Sequence, residues 1–129
     1  MANFAQLNEN NVVMNVLVVD NNDIQNLPFP ESEAVGTAYL NSFLDPATYA
    51  QTSFNGNFRF RYASVGYTFH PECGPHGGFA APALFDYFVF DASTCEWVPP
   101  VPKPDSTNTY YWDDRTRSWI KEPTLTIVG

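Results

Sequence analysis

His70, Cys73 and His76 fall at i, i+3 and i+6, and Cys95 lies in the next turn-rich stretch. Together they make a His2Cys2 complement of the kind that binds zinc tetrahedrally. The spacing His-x2-Cys-x2-His matches no established zinc finger, and Pro71 and Pro75 stiffen the loop that would have to wrap an ion. The same side chains allow two other readings, a Cys73–Cys95 disulfide or two free buried thiols, and a reducing cytosol favours the thiols. A Cys73 nucleophile served by His70 or His76 lacks any local nucleophile signature. Glu31 with Glu33, and Asp113 with Asp114, are paired carboxylates of the sort a glycosidase uses, but neighbouring acids on a strand or turn point apart. Gly74 and Gly77-Gly78 lack both the Lys-Ser/Thr and the preceding apolar strand of a phosphate loop. These residues predict no enzyme, no cofactor and no bound metal.

The elements that must position them are small hairpins. Phe90-Asp91-Ala92-Ser93-Thr94-Cys95-Glu96-Trp97 aligns with Trp112-Asp113-Asp114-Arg115-Thr116-Arg117-Ser118-Trp119, each reading aromatic, Asp, two residues, Thr, two residues, Trp. An Asp that bonds its own backbone and a Thr closing the loop describe a short turn, with the two aromatics facing each other across it. Phe69-His70-Pro71-Glu72-Cys73 is a looser copy in which Phe79 takes the place of the closing Trp after a Gly-rich insertion. Hairpins this small need neighbours to bury a core. If Trp97, Trp112, Trp119 and Tyr111 are instead exposed, they are the residues that would stack on sugar rings, with Asp113 or Asp114 bonding hydroxyls.

Upstream, Asn3–Leu7 and Val12–Val19 flank Asn8-Glu9-Asn10-Asn11 and read as a hairpin, with Val12–Val19 apolar enough to be a central strand covered on both faces. Glu31–Leu44 reads as the one helix, with Val35, Ala38, Tyr39 and Phe43 on its buried face, acidic residues in its first turn, and Asp45-Pro46 at its end. Tyr49–Phe54 and Asn57–Tyr62, joined by Asn55-Gly56, read as a hairpin with a type I′ turn. Its alternation buries Phe58, Phe60 and Tyr62 and leaves Arg59 and Arg61 as a solvated face. Pro99-Pro100-Val101-Pro102-Lys103-Pro104 is a stiff spacer, and Leu125–Val128 in the tail is a candidate final strand that pairs with a neighbouring subunit. The expected fold is mainly β: an N-terminal antiparallel sheet with one short helix over residues 1–66, then an extended array of aromatic β-hairpins with Pro-rich connectors over 67–129.

Composition narrows the partners. Aromatic residues make up 16% of the 129, so large flat side chains carry most of the burial. The formal net charge is −8, with 6 Lys and Arg against 14 Asp and Glu, which repels phosphate backbones and anionic lipid and argues against nucleic-acid binding. No stretch approaches the length and apolarity of a membrane span, and no basic segment followed by an apolar run opens the chain. The expectation is a protein made in the cytosol, with neither nucleic acid nor membrane as a partner.

Met1–Val13, Gln51–Arg59 and Tyr62–Phe69, with Thr94-Cys95-Glu96-Trp97, Pro99-Pro100-Val101-Pro102 and Tyr111-Trp112-Asp113-Asp114, resemble a family of small tailed-phage proteins familiar from phages of cyanobacteria and other marine bacteria. The resemblance spans nearly the whole chain and departs from the family pattern at Cys73–Phe79, where Gly-Pro-His-Gly-Gly lengthens a turn. It implies a structural component of the virion, assembled in the host cytoplasm, and assigns no functional residue. The expected role is a multi-copy, homo-oligomeric accessory protein, tail- or fibre-associated or capsid-decorating, packed on other virion proteins. The alternative is a host-recognition module that binds surface glycan through Trp97, Tyr111, Trp112 and Trp119.

Overall fold

The computed structural model describes residues 1–123, and the tail strand expected at Leu125–Val128 lies outside the described residues. The protein is mainly β. Strands β1 (Ala2–Leu7) and β2 (Val13–Val19) form the first hairpin, helix α1 (Glu31–Asn41) follows a short 3-10 turn at Asn21–Ile24, and β3 (Thr48–Thr52) completes an antiparallel sheet of order β2-β1-β3. Three two-stranded hairpins succeed it: β4 (Thr68–His70) with β5 (Gly78–Ala80), β6 (Val89–Asp91) with β7 (Glu96–Val98), and β8 (Tyr110–Asp113) with β9 (Ser118–Lys121).

The central strand is β1, not the Val12–Val19 segment expected to be covered on both faces. Phe4 and Ala2 pack with Val19, Ile24, Leu40 and Tyr49 on the helix side, while Ala5 and Leu7 pack with Val13, Ala50, Ala63 and Phe79 on the other. In β2 the side chains of Met14, Asn15 and Val18 reach solvent instead. The second cluster joins Leu7 and Ala63 to Phe69 and Phe79, so the β4–β5 hairpin is the lid on one face of the N-terminal sheet.

The helix starts at Glu31 as expected but ends at Asn41, short of the expected Leu44 and its Asp45-Pro46 stop, and its buried line is shifted from the expected one. Ser32, Gly36 and Leu40, one turn apart, are buried; Val35 and Tyr39 flank them, and Ala38 and Phe43 are exposed. Close approach decides the face, because a Cβ at position 36 would overlap the Phe4 ring. Glu31 and Glu33 occupy the first turn, where the helix dipole favours them.

The expected hairpin with a type I′ turn at Asn55-Gly56 does not form: Asn55 is not left-handed, and the chain turns one residue earlier, with Phe54 and Asn55 at the centre. Gly56 takes a φ of 69° and donates its N–H to Ser53 O at 2.9 Å, but Asn57–Tyr62 does not pair as a strand. Arg59 and Phe60 adopt left-handed φ values of 59° and 71°, which break the alternation. The two arginines expected on a solvated face are drawn inward as clamps. Arg59, its side chain only 8% exposed, ion-pairs with Glu33 of the helix and donates to Gln51 O of β3 at 2.9 Å and to His76 O at 2.8 Å. Its guanidinium carbon sits 4.9 Å from the ring centroids of both Phe29 and Phe69. Arg61 donates to the carbonyls of Phe79 and Cys95, and to Thr94 O at 2.9 Å, tying the second hairpin to the turn of the third.

All four hairpins share one device. Asn11, Gly77, Cys95 and Arg117 have φ values of 62°, 77°, 53° and 49°; Gly77, Cys95 and Arg117 directly precede the residues that close their ladders, Gly78, Glu96 and Ser118, and Asn11 stands two residues before Val13, which closes the first. A left-handed residue at the end of the loop turns the chain back into register. The expected aromatic pairs are all cross-strand neighbours: Phe69 with Phe79 at 5.2 Å between ring centroids, Phe90 with Trp97 at 5.2 Å, and Trp112 with Trp119 at 5.3 Å.

Replacing Arg59 with Met leaves Glu33 without its partner and the Gln51 and His76 carbonyls without their donor. Unfolding in urea should show a loss of about 3 kcal/mol, the low end of the range for breaking a buried ion pair because Glu33 keeps some solvent. A change under about 1 kcal/mol would mean that the clamp is dispensable.

Candidate functional site

The aromatic hairpins build a groove. Its floor is the third hairpin, with Phe90, Asp91, Glu96 and Trp97, and its far wall is the Pro99–Lys103 connector lying against Trp119 of the fourth; the groove is open to solvent and has a volume of about 760 Å³. The connector is held there by Trp119, whose indole Nε1–H donates to Val101 O at 2.6 Å, while the Lys103 ammonium lies 5.3 Å above the same ring. The proline run has few N–H groups of its own, so it presents carbonyls and ring edges and no strand edge.

Of the four residues expected to contact glycan, two line this groove. Trp97 is 37% exposed and Trp119 is half-buried beneath Lys103. Trp112, though it touches Trp119, does not line it: its ring packs edge-on against Phe88, with centroids 6.0 Å apart, and its Nε1–H donates to Tyr87 Oη at 2.8 Å. Tyr87 in turn donates to Asp114 at 2.6 Å and lies under Arg117, 3.9 Å from the guanidinium carbon to the ring. Desolvation, then the hydrogen bond to Asp114, raises the Tyr87 phenol above its ordinary pKa, so it stays a neutral donor. Tyr111 pairs with Ile120 on the opposite face of its strand and is 50% exposed. The four therefore do not form one flat platform, and Asp114 is occupied in holding Tyr87. Lys103, Asp91 and Glu96 are groove residues that sequence reading missed; the Trp-Val-Pro-Pro-Val-Pro-Lys run was the available signal.

Asp91 and Asp113 serve the turns. Asp91 accepts from Ser93 N at 2.9 Å and Ser93 Oγ at 2.6 Å, and Asp113 accepts from Arg115 N at 3.2 Å and Thr116 Oγ1 at 2.8 Å. Asp105 organises the loop before β8 in the same way, accepting from the Tyr110 hydroxyl at 2.8 Å and from the backbone of Thr107 and Asn108. The Tyr110 bond and those backbone donors hold the Asp105 carboxyl down at about 2.

The histidines and cysteines divide. Cys73 and Cys95 are free thiols, wholly buried beside Ala80 and Phe90 where the second and third hairpins meet. Burial, reinforced by Cys95, pushes the Cys73 thiol up to about 12. His70 stacks on Phe90 with centroids 4.2 Å apart and places Nδ1 2.9 Å from Glu72 Oε1; His76 instead packs edge-on against Phe29 at 5.1 Å. Among the described residues no three His, Cys, Asp or Glu side chains converge in a metal-binding arrangement. Among those residues, too, no helix is long and apolar enough to cross a membrane. No family model, curated protein or solved structure matches the chain.

Two measurements check this geometry. Ellman's reagent should leave both thiols unmodified in the folded protein and titrate both after denaturation; fast reaction of either thiol under native conditions would contradict their burial. Trp119→Ala should cost about 3 kcal/mol, since it removes the cross-strand partner of Trp112 and the anchor of the connector, whereas Trp97→Ala should cost less in proportion to its exposure. Equal melting temperatures for Trp119→Ala and the parent chain would show that ring to be a free surface.

Proposed function

We propose that this chain is a non-enzymatic structural component of a tailed-phage virion, a multi-copy accessory protein that packs on other virion proteins at the tail, at fibres or on the capsid. The observation that carries the reading is the build of the C-terminal half. It consists of two-stranded sheets, each held by one aromatic pair and a few links to its neighbour, with Leu84, Val89 and Tyr111 turned to solvent. Sheets of two strands are marginal alone and gain stability when such side chains are covered by other protein. The resemblance of Met1–Val13, Gln51–Arg59 and Tyr111–Asp114 to small virion proteins points the same way.

The non-enzymatic reading is supported by the complete burial of both thiols and by the engagement of Asp91 and Asp113 in their turns and of Asp114 with Tyr87. A glycan-binding role in host recognition is the second reading. One observation favours it: Trp97, partly exposed, lies in a groove that also offers the Glu96 carboxylate and the Lys103 ammonium, the mixture of ring face and polar groups that sugars use.

Mass spectrometry of purified particles should find the chain in many copies, and hydrogen exchange should show residues 87 to 121 better protected in the particle than in the isolated protein. Absence from particles, with full protection already present in a strict monomer, would sink the proposal. Binding of the isolated protein to host-surface polysaccharide, abolished by Trp97→Ala, would replace it with the glycan reading.

A further inference from the structure

The edges of the N-terminal sheet are treated unequally. On β3, Glu33 accepts the Gln51 N–H at 2.8 Å and Arg59 donates to the Gln51 carbonyl, so side chains seal that edge. At the start of β2, Val13 donates to Tyr67 O at 2.7 Å and accepts from Gly66 N at 2.9 Å, so the loop before β4 seals this part too. Beyond Val13 the outer edge of β2 has no backbone partner among the described residues. This stretch, Met14-Asn15-Val16-Leu17-Val18-Val19, contains no charge and no proline, and its one bulge lies at the Met14 end. Val18 is 59% exposed. An unguarded apolar edge is a template for another strand, and proteins that must stay single blunt such edges with Lys, Pro or a covering loop.

We propose that the Asn15–Val19 edge pairs antiparallel with the same edge of a second copy, joining two three-stranded sheets across a two-fold axis. Two observations select a second copy as the occupant. Centred on Leu17, the pairing sets Val16 against Val18 and Asn15 against Val19 of the other chain, so the exposed Val18 meets the partly buried Val16 and the segment is its own complement. The chain also carries a net charge of −8, yet this register brings no two carboxylates together, because Asp20 falls opposite Met14. The neutral edge is where two acidic copies can approach with least repulsion. The inference deepens the multi-copy reading and requires from it only that copies of the chain meet.

The test uses the purified full-length chain. Sedimentation equilibrium should give twice the 14.5 kDa of one chain, and Val18→Lys should return the mass to that of a monomer with the near-ultraviolet circular dichroism unchanged. Because a variant can misfold, the parent chain supplies a second readout. A mixture of isotopically labelled and unlabelled protein should show an intermolecular Overhauser contact between Val16 and Val18 methyls, and amide protection within Asn15–Val19 should rise with concentration. A monomer at every soluble concentration overturns the proposal, as does a dimer indifferent to Val18→Lys. Loss of edge protection on deletion of residues 124–129 also overturns it, by assigning the edge to the tail. A solution monomer leaves a virion role standing, and absence from particles leaves the dimer standing, so the two proposals fail separately.

Discussion

A single arginine joins four parts of the chain that no hydrogen-bond ladder connects. Arg59 pairs with Glu33 on the helix, donates to the edge carbonyl of Gln51, reaches the His76 carbonyl in the long turn of the second hairpin, and is stacked between Phe29 and Phe69. A guanidinium suits the position because its planar fork serves several acceptors at fixed angles while its faces accept aromatic rings. The left-handed backbone at Arg59 and Phe60 costs conformational energy, and the desolvated charge costs more; the hydrogen bonds and the carboxylate offset both. Glu33 is bound into the same arrangement through the Gln51 N–H, and neighbouring Ser32 donates its hydroxyl to the Gln51 side chain at 2.7 Å. The helix is thereby latched to the sheet edge by polar contacts, while Gly36 lets it settle on Phe4.

Farther along the chain the same economy recurs with weaker means. Arg61 carries the order of the second hairpin to the third through three carbonyls, and the third reaches the fourth through the Pro-rich connector and the Trp119 indole. Each hairpin contributes one aromatic pair, so burial per residue falls as the chain moves away from the N-terminal sheet. The thiols mark the last place where side chains are fully enclosed. Cys95 takes a left-handed conformation better suited to Gly or Asn, and its sulfur fills the space that Gly78 leaves beside Cys73.

This gradient gives the site its character. The groove is walled by prolines and roofed by a lysine on an indole, with the partly exposed Trp97 ring and the Glu96 carboxylate along its floor. Asp113, one of the paired carboxylates that look catalytic by proximity in sequence, is consumed by its own turn, as Asp91 and Asp105 are by theirs.

What the sequence determined by itself is local. Hairpin register follows from a turn-forming Asp or Asn and a short loop, and with a side-chain period of two this places Phe90 opposite Trp97 and Trp112 opposite Trp119. The start of the helix was legible from its acidic first turn, but its end was not, because it stops at Asn41 and not at Asp45-Pro46. Only the tertiary structure decided matters that depend on distant partners. Phe58-Arg59-Phe60-Arg61 alternates as a half-buried strand does, and nothing in those four residues reveals that Glu33 or the carbonyls of Phe79, Thr94 and Cys95 will turn the arginines inward. The central strand was misplaced for a related reason: Val12–Val19 is the more apolar segment, but Ala2–Leu7 lies between two partners, and position in the sheet outweighs hydrophobicity. Trp97 and Trp119 share a groove from which Trp112 is absent because the connector folds back to one side of the last hairpin, a contact between segments whose turn chemistry says nothing about each other.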